Sequence, residues 1–134
     1  MMWCLMNSNR PDNLTEIFEL RKSFMTSLEE VKPGSYPPWP LDISSKKSQQ
    51  VLRDTALKGI EEMFEALQHL KNWKTHRQTD LGDCFNREDF LEEMVDAFNY
   101  FFALMINLEV SDDEFYEAFL KKHDIIIDRL KTGY

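Results

Sequence analysis

Two pairs of acidic residues stand at helical spacing in this chain. Glu62 and Glu65 lie three residues apart, and Glu93 and Asp96 repeat that spacing further along the sequence. Residues three apart share one face of a helix, so both carboxylates of a pair can reach one ion. A set of ligands that offers only oxygen atoms suits Mg²⁺ or Mn²⁺ rather than zinc. The spacing therefore makes these four acids candidate ligands of a Mg²⁺ or Mn²⁺ ion.

The first pair alone has a simpler interpretation. Three acids, Glu61, Glu62 and Glu65, could form a solvated helix face, with Lys58 and Glu62 as a surface ion pair four residues apart. This interpretation needs no metal, and charged helix faces of this kind are common.

The second pair differs because its helix is strongly apolar. Glu93 and Asp96 share a narrow polar stripe with Tyr100 and Asn107, and the rest of the helix wheel is mostly hydrophobic. The apolar residues are Phe90, Leu91, Met94, Val95, Phe98, Phe101, Phe102, Leu104, Met105 and Ile106. We expect this helix to be largely buried, so its carboxylates need a metal or a cationic partner. An interhelical salt bridge to a distant basic residue is the main alternative.

Four helices must position these acids. Apolar residues recur at three and four positions, glycine is scarce, and the alternation typical of strands is missing. The predicted helices span about 12–31, 45–71, 86–108 and 111–132. Asn86 is a predicted N-cap of the third helix, and Ser111 with Glu114 forms a capping-box pattern at the fourth.

Short connections between such helices predict an all-α antiparallel bundle of four to five helices. At 134 residues, we expect a single domain over 1–134, with an irregular N-terminus over 1–11. The apolar third helix also predicts burial against a second copy of the chain, as a homodimer or a dimer of dimers.

Composition limits the partners. A formal net charge of −8 argues against a broad grip on nucleic acid, which needs clustered Lys and Arg. No apolar run is long enough to predict a membrane span or a signal peptide. The two cysteines, Cys4 and Cys84, indicate neither a disulfide framework nor a zinc site. We expect a cytoplasmic protein, in the host cytoplasm if the source is viral.

The acidic motifs are similar to those of a known superfamily. Glu62-Met63-Phe64-Glu65 and Glu93-Met94-Val95-Asp96 resemble the E-x-x-E and E-x-x-D motifs of the all-α nucleoside triphosphate pyrophosphohydrolases. That group includes MazG-like proteins, dimeric dUTPases and dCTP pyrophosphatases. The stretches 70–74 and 94–101 resemble its tryptophan-lysine segment and its D-x-x-H/N-F segment, and 122–134 resembles the ending of the dUTPase and phage dCTPase branch.

The resemblance implies a MazG-like fold and roles for the matching residues. Glu62, Glu65, Glu93 and Asp96 would hold Mg²⁺. Trp73 and Lys74 would face the nucleotide. Asn99 would also bind substrate. The residues near the sugar or phosphates would be Tyr100, Lys122, Arg129 and Tyr134. Asn99 stands where the family more commonly has His. Trp39 could stack on a base, as in some dCTP-hydrolysing relatives, or could simply pack its proline-rich connector against the bundle.

The activity implied is attack of water on the α-phosphorus of a nucleoside triphosphate, releasing the monophosphate and pyrophosphate. Glu62 is the first choice for general base, with Glu61 or Glu65 as alternatives. The stretch 21–25 and Ile126 depart from the pattern of the uracil-recognising branch, so the resemblance does not imply uracil specificity. The expected substrate is a pyrimidine dNTP, dUTP or dCTP, with a modified or non-canonical dNTP as an alternative. An alternative from another class is a non-enzymatic helical adaptor with an acidic binding face.

Overall fold

The computed structural model describes residues 12–79 and 85–133, and within these ranges every regular element is an α-helix. The helices are α1 (Asn13–Val31), α2 (Lys46–Gln68), α3 (Arg87–Asn107) and α4 (Asp112–Thr132). The all-α prediction is confirmed, with four helices in the described part of the chain. The expected irregular N-terminus, 1–11, and Tyr134 lie outside the described residues.

Each helix starts where a side chain caps its first turn. The four N-caps accept a hydrogen bond from the backbone N–H three residues further on, which satisfies one donor that the helix itself leaves unpaired. These pairs are Asp12 with Thr15, Ser45 with Ser48, Asn86 with Asp89, and Ser111 with Glu114. The predicted N-terminal boundaries therefore agree with the structure to within one residue.

The end of α2 differs from its prediction. The helix stops at Gln68, three residues before the expected Lys71. Lys71 has a φ of 64°, a left-handed conformation that cannot continue a right-handed helix. Apolar periodicity alone gives no warning of this change in backbone direction.

The chain forms two compact units. One comprises Pro38–Leu108 and therefore contains α2, α3 and the connector before them. The other comprises the described residues up to Pro37 and from Glu109 onward, and so contains α1 and α4. Both acidic pairs belong to the first unit.

In the unit Pro38–Leu108, α2 and α3 run antiparallel. Gly59 faces the ring of Phe101, whereas Glu62, further along α2, lies beside Asp96, which comes earlier on α3. The connector is fixed to the end of α3, because the Leu41 N–H donates to the Asn107 carbonyl at 2.8 Å. The Asn107 side chain is fully buried, and neither of its polar atoms has a hydrogen-bond partner among the described residues.

In the other unit, the N-terminal turns of α1 and α4 meet. The Thr15 hydroxyl donates to the Asp112 carboxylate, and the rings of Phe18 and Phe115 lie 6.4 Å apart. Phe18 is buried in this contact. Helix α4 itself contains no buried residue.

The expectation that α3 is largely buried is wrong for the chain by itself. Only Ala97, Ala103, Ile106 and Asn107 of this helix are buried, while Leu91, Val95 and Phe98 are 44–58% exposed. Helix α2 covers only one side of α3. The apolar residues of α3 occupy more of its circumference than that side, so some of them stay exposed. None of the described helices combines the length and apolar character needed to cross a membrane.

Candidate metal centre

The two acidic pairs meet across the α2–α3 helix pair. Carboxylate oxygens of Glu62, Glu93 and Asp96 all lie within 4.8 Å of one another. Glu62 and Glu93 are half-buried, whereas Asp96 is exposed. The antiparallel pairing thus brings together acids that are far apart in sequence, although Asp96 is not in the buried seam that its apolar neighbours predict.

Glu65 completes the group of four. Its side chain interacts with both Glu62 and Glu93. Burial raises the pKa of Glu62, and the hydrogen bond and negative charge of Glu65 raise it further. The pKa of Glu93 is raised first by burial and then by Glu65, while His69 acts in the opposite direction. The four carboxylates therefore repel one another, and a cation between them would relieve that repulsion.

The donor set fits a hard divalent cation. Ligand oxygens at 2.0–2.1 Å in an octahedron are separated by about 3–4 Å, so only small side-chain movements would bring the three clustered oxygens onto one Mg²⁺. Every ligand atom is a carboxylate oxygen, the donor that Mg²⁺ and Mn²⁺ prefer. Glu62, Glu65, Glu93 and Asp96 are the residues that could hold the ion.

Within the described ranges, no lysine or arginine is close enough to any of these acids to form an ion pair. The salt bridge present there is Arg53–Asp54, at 3.3 Å on the surface of α2. Among the described residues, no ion pair between helices supports the alternative of an interhelical salt bridge. The basic side chain that does act on the cluster is His69, four residues after Glu65 on the same helical face. His69 is not among the predicted site residues, although its spacing from Glu65 is visible in the sequence.

Trp73 and Lys74 lie at the acidic end of the helix pair. The Trp73 ring is 5.7 Å from the ring of Phe64, the residue next to Glu65. The Lys74 ammonium lies 5.3 Å from the centre of the Trp73 ring, within range of a cation–π interaction. Both side chains are half-buried.

An open groove runs along α3 beside Asp96. Its volume is about 550 Å³, within the range of small-molecule sites, and its lining is mainly apolar. The lining residues are Glu88, Leu91, Glu92, Val95 and Asp96. Only Asp96 among these residues is predicted from the sequence, because exposed side chains on an amphipathic helix carry no signal of a groove.

The remaining predicted site residues fall into three groups. Asn99 and Tyr100 follow Asp96 on α3 and are half-buried. Trp39 is half-buried in the connector and precedes a cis peptide bond to Pro40. Lys122 and Arg129 are exposed on α4, in the other compact unit, and Tyr134 lies outside the described residues. The described unit Pro38–Leu108 therefore contains all four acids and five of the eight predicted substrate-binding residues.

A scan against family models finds no match to this chain, and no match to a curated protein or to a solved structure is found. The arrangement of the carboxylates is thus the main structural guide to function.

Proposed function

We propose that this protein is a Mg²⁺-dependent nucleoside triphosphate pyrophosphohydrolase. It would hydrolyse a pyrimidine deoxynucleoside triphosphate, dUTP or dCTP, to the monophosphate and pyrophosphate, and so control the nucleotide pool of the cytoplasm. A modified dNTP is the alternative substrate within the same chemistry.

One observation carries this proposal: the E-x-x-E and E-x-x-D motifs come from two antiparallel helices and place their carboxylates together. Glu62 and Glu93 are half-buried and have no paired lysine or arginine among the described residues, so their negative charges are costly unless a cation joins them. Paired carboxylates on neighbouring helices are also what the resemblance to the pyrophosphohydrolases implies. Charge and motif therefore support the same function.

The four acids would hold Mg²⁺, and one of them would also act on the attacking water. Bound Mg²⁺ would neutralise phosphate charge and lower the pKa of the attacking water. Glu62 is our choice for the general base because it is half-buried and its carboxylate lies beside those of Glu93 and Asp96. Glu61 suits that task less well because it is exposed to solvent. Trp73 and Lys74 would contact the nucleotide at the adjoining loop.

We also propose a homodimer or a dimer of dimers. Large apolar side chains are exposed on all four helices, including Leu20 on α1, Phe64 on α2, Val95 on α3 and Phe119 on α4. A second copy would remove these side chains from water.

The decisive experiment measures pyrophosphate release from a panel of nucleoside triphosphates with Mg²⁺. For Glu93→Gln and Asp96→Asn, we expect turnover to fall at least about a hundred-fold, because each variant removes a metal-binding charge. Far-UV circular dichroism should remain that of the wild type. Asp54→Asn is the matched control, since it neutralises an exposed acid of the surface pair on α2.

Full turnover in both metal-site variants would refute the proposed site. If the wild type hydrolyses none of the panel and Mg²⁺ with a nucleotide analogue does not raise its melting temperature, the helical adaptor is the better description.

A further inference from the structure

The loop that follows α2 is closed by one side chain. Asn72 Nδ2 donates to the Thr79 carbonyl at 2.8 Å, and Asn72 Oδ1 accepts from the Thr79 N–H at 2.6 Å. Both hydrogen-bonding groups of one amide therefore join the two ends of an eight-residue segment, 72–79. We call this segment the clasped loop.

The clasped loop is cationic in an acidic protein. It carries Lys74, His76 and Arg77 and contains no Asp or Glu, although the chain as a whole has a net charge of −8. A turn hydrogen bond from the Arg77 N–H to the Lys74 carbonyl, at 3.1 Å, brings the backbones of these two residues close together. Two permanent positive charges are thus held on one short turn.

This loop lies at the acidic end of the helix pair. The Trp73 ring packs against Phe64, the neighbour of Glu65, which attaches the loop to α2. Glu65 is three residues from the end of α2, a rise of about 4.5 Å. Glu93 is six residues into α3, about 9 Å from its start. The cationic loop and the four carboxylates therefore share one end of the unit Pro38–Leu108.

We propose that the clasped loop is the phosphate-binding wall of the site, with Arg77 joining Lys74 as a second cation for the triphosphate and Asn72 as the positioning residue. This inference rests on the proposed function. Phosphates that approach four carboxylates meet repulsion, and a single divalent ion cannot contact every phosphate oxygen. Cations on the adjoining loop would neutralise the outer phosphates through charge-assisted hydrogen bonds.

The first test compares two arginine substitutions. In Arg77→Gln, we expect KM for the nucleoside triphosphate to rise about ten-fold, the loss typical of a hydrogen bond to a charged group, while kcat changes less than about two-fold. Arg53→Gln removes an equal charge from α2, nine residues before Glu62 and about 13 Å away along the helix, and should leave KM unchanged. An unchanged KM in an active Arg77→Gln enzyme would overturn the role of Arg77.

The second test concerns the clasp. Asn72→Ala removes both bonds to Thr79, so we expect faster hydrogen exchange at the Thr79 amide together with a KM raised about three- to ten-fold. Asn72→Asp keeps an acceptor for the Thr79 N–H but adds negative charge. In Asn72→Asp, the Thr79 amide should therefore exchange more slowly than in Asn72→Ala, and KM should still be raised. A released Thr79 amide with wild-type KM would show that the clasp does not position the site.

A binding measurement separates this inference from the proposed function. Calorimetric titration of each variant with magnesium pyrophosphate requires no turnover. The wild type could hydrolyse no nucleotide and yet bind magnesium pyrophosphate more tightly than Arg77→Gln does. That result would support the phosphate-binding role of the clasped loop and contradict the proposed hydrolase function. Equal binding by wild type and Arg77→Gln would overturn the wall, whether or not the enzyme is active.

Discussion

At the scale of single residues, the acidic cluster should govern how stability depends on pH. Glu62 and Glu93 have pKa values raised above their ordinary 4.5, with burial as the largest cause in both. A carboxyl group whose pKa is higher in the folded than in the unfolded state favours folding when it is protonated. This contribution to the free energy of unfolding is fully present at a pH below the ordinary pKa. It is lost as the pH rises through the raised pKa of the folded state.

Without divalent metal, we therefore expect the free energy of unfolding to fall as pH is raised from about 4.5 towards neutrality. Urea denaturation in EDTA across this range measures the trend. Glu93→Gln is the control, since it should be more stable than the wild type near pH 7 and show a weaker pH dependence. Saturating Mg²⁺ should reduce or reverse the trend, because metal would bind the deprotonated carboxylates. A slope unchanged by Glu93→Gln would contradict this account.

Below pH 4.5, other carboxyl groups determine how the free energy of unfolding depends on pH. Hydrogen bonds from Thr15 to Asp12, from Gly34 and Tyr36 to Glu29, and from Ser44 to Asp42 lower the pKa of each carboxyl group. The stability that these bonds provide is present above the ordinary pKa and is lost as pH falls through the lowered values. The metal-free protein should accordingly be most stable near the ordinary carboxyl pKa.

At the scale of elements, one glycine sets how closely α2 and α3 approach. Gly59 is buried in the middle of α2, and a Cβ placed there would lie 2.8 Å from Cε1 and 2.9 Å from Cζ of Phe101. These separations are shorter than a normal carbon–carbon contact. The missing side chain therefore allows the α3 ring to pack directly against the α2 backbone.

This geometry predicts the effect of Gly59→Ala. Alanine favours helix by about 1 kcal/mol relative to glycine, but overpacking against Phe101 should cost about 1–3 kcal/mol. We expect a net loss of roughly 1 kcal/mol in the free energy of unfolding by urea denaturation. In a Phe101→Leu background, the same substitution should become neutral or stabilising. Stabilisation by Gly59→Ala in the wild type would show that the ring moves aside freely.

At the scale of the whole molecule, α4 is the element with the least cover. It contains no buried residue, and its apolar side chains are exposed over its length. These residues are Tyr116, Phe119, Leu120, Ile125, Ile126, Ile127 and Leu130. All of these except Ile125 lie on one side of the helix, and such an apolar face on a 21-residue helix favours self-association of the chain.

We expect the purified protein to be a dimer or a dimer of dimers by light scattering coupled to size exclusion. Phe119→Glu and Leu130→Glu should weaken association by at least about ten-fold, because each places a charge in an apolar interface. Ser27→Glu, which adds the same charge at an exposed polar position of α1, is the matched control and should associate like the wild type. A wild type that stays monomeric at micromolar concentrations would contradict the interface.

Much of the local structure was predictable from sequence. The predicted caps at Asn86 and Ser111 are confirmed, because capping depends on residues only a few positions apart. The structure adds caps at Asp12 and Ser45, where helix starts were predicted. Lys71 shows the limit, since its left-handed backbone ends α2 earlier than apolar periodicity predicts.

The spacing of the acidic pairs was likewise determined by the sequence alone, since residues three apart share a helix face in any fold. Only the tertiary structure decided that the two pairs meet, that Asp96 is exposed and that Asn107 is buried. Those outcomes depend on which residues face each other across α2 and α3. The hydrogen bonds between Asn72 and Thr79 were also decided by the tertiary structure, because they require a particular path of the backbone between the two residues. Local spacing defines the candidate ligands, and the long-range packing of two helices makes them a single cluster.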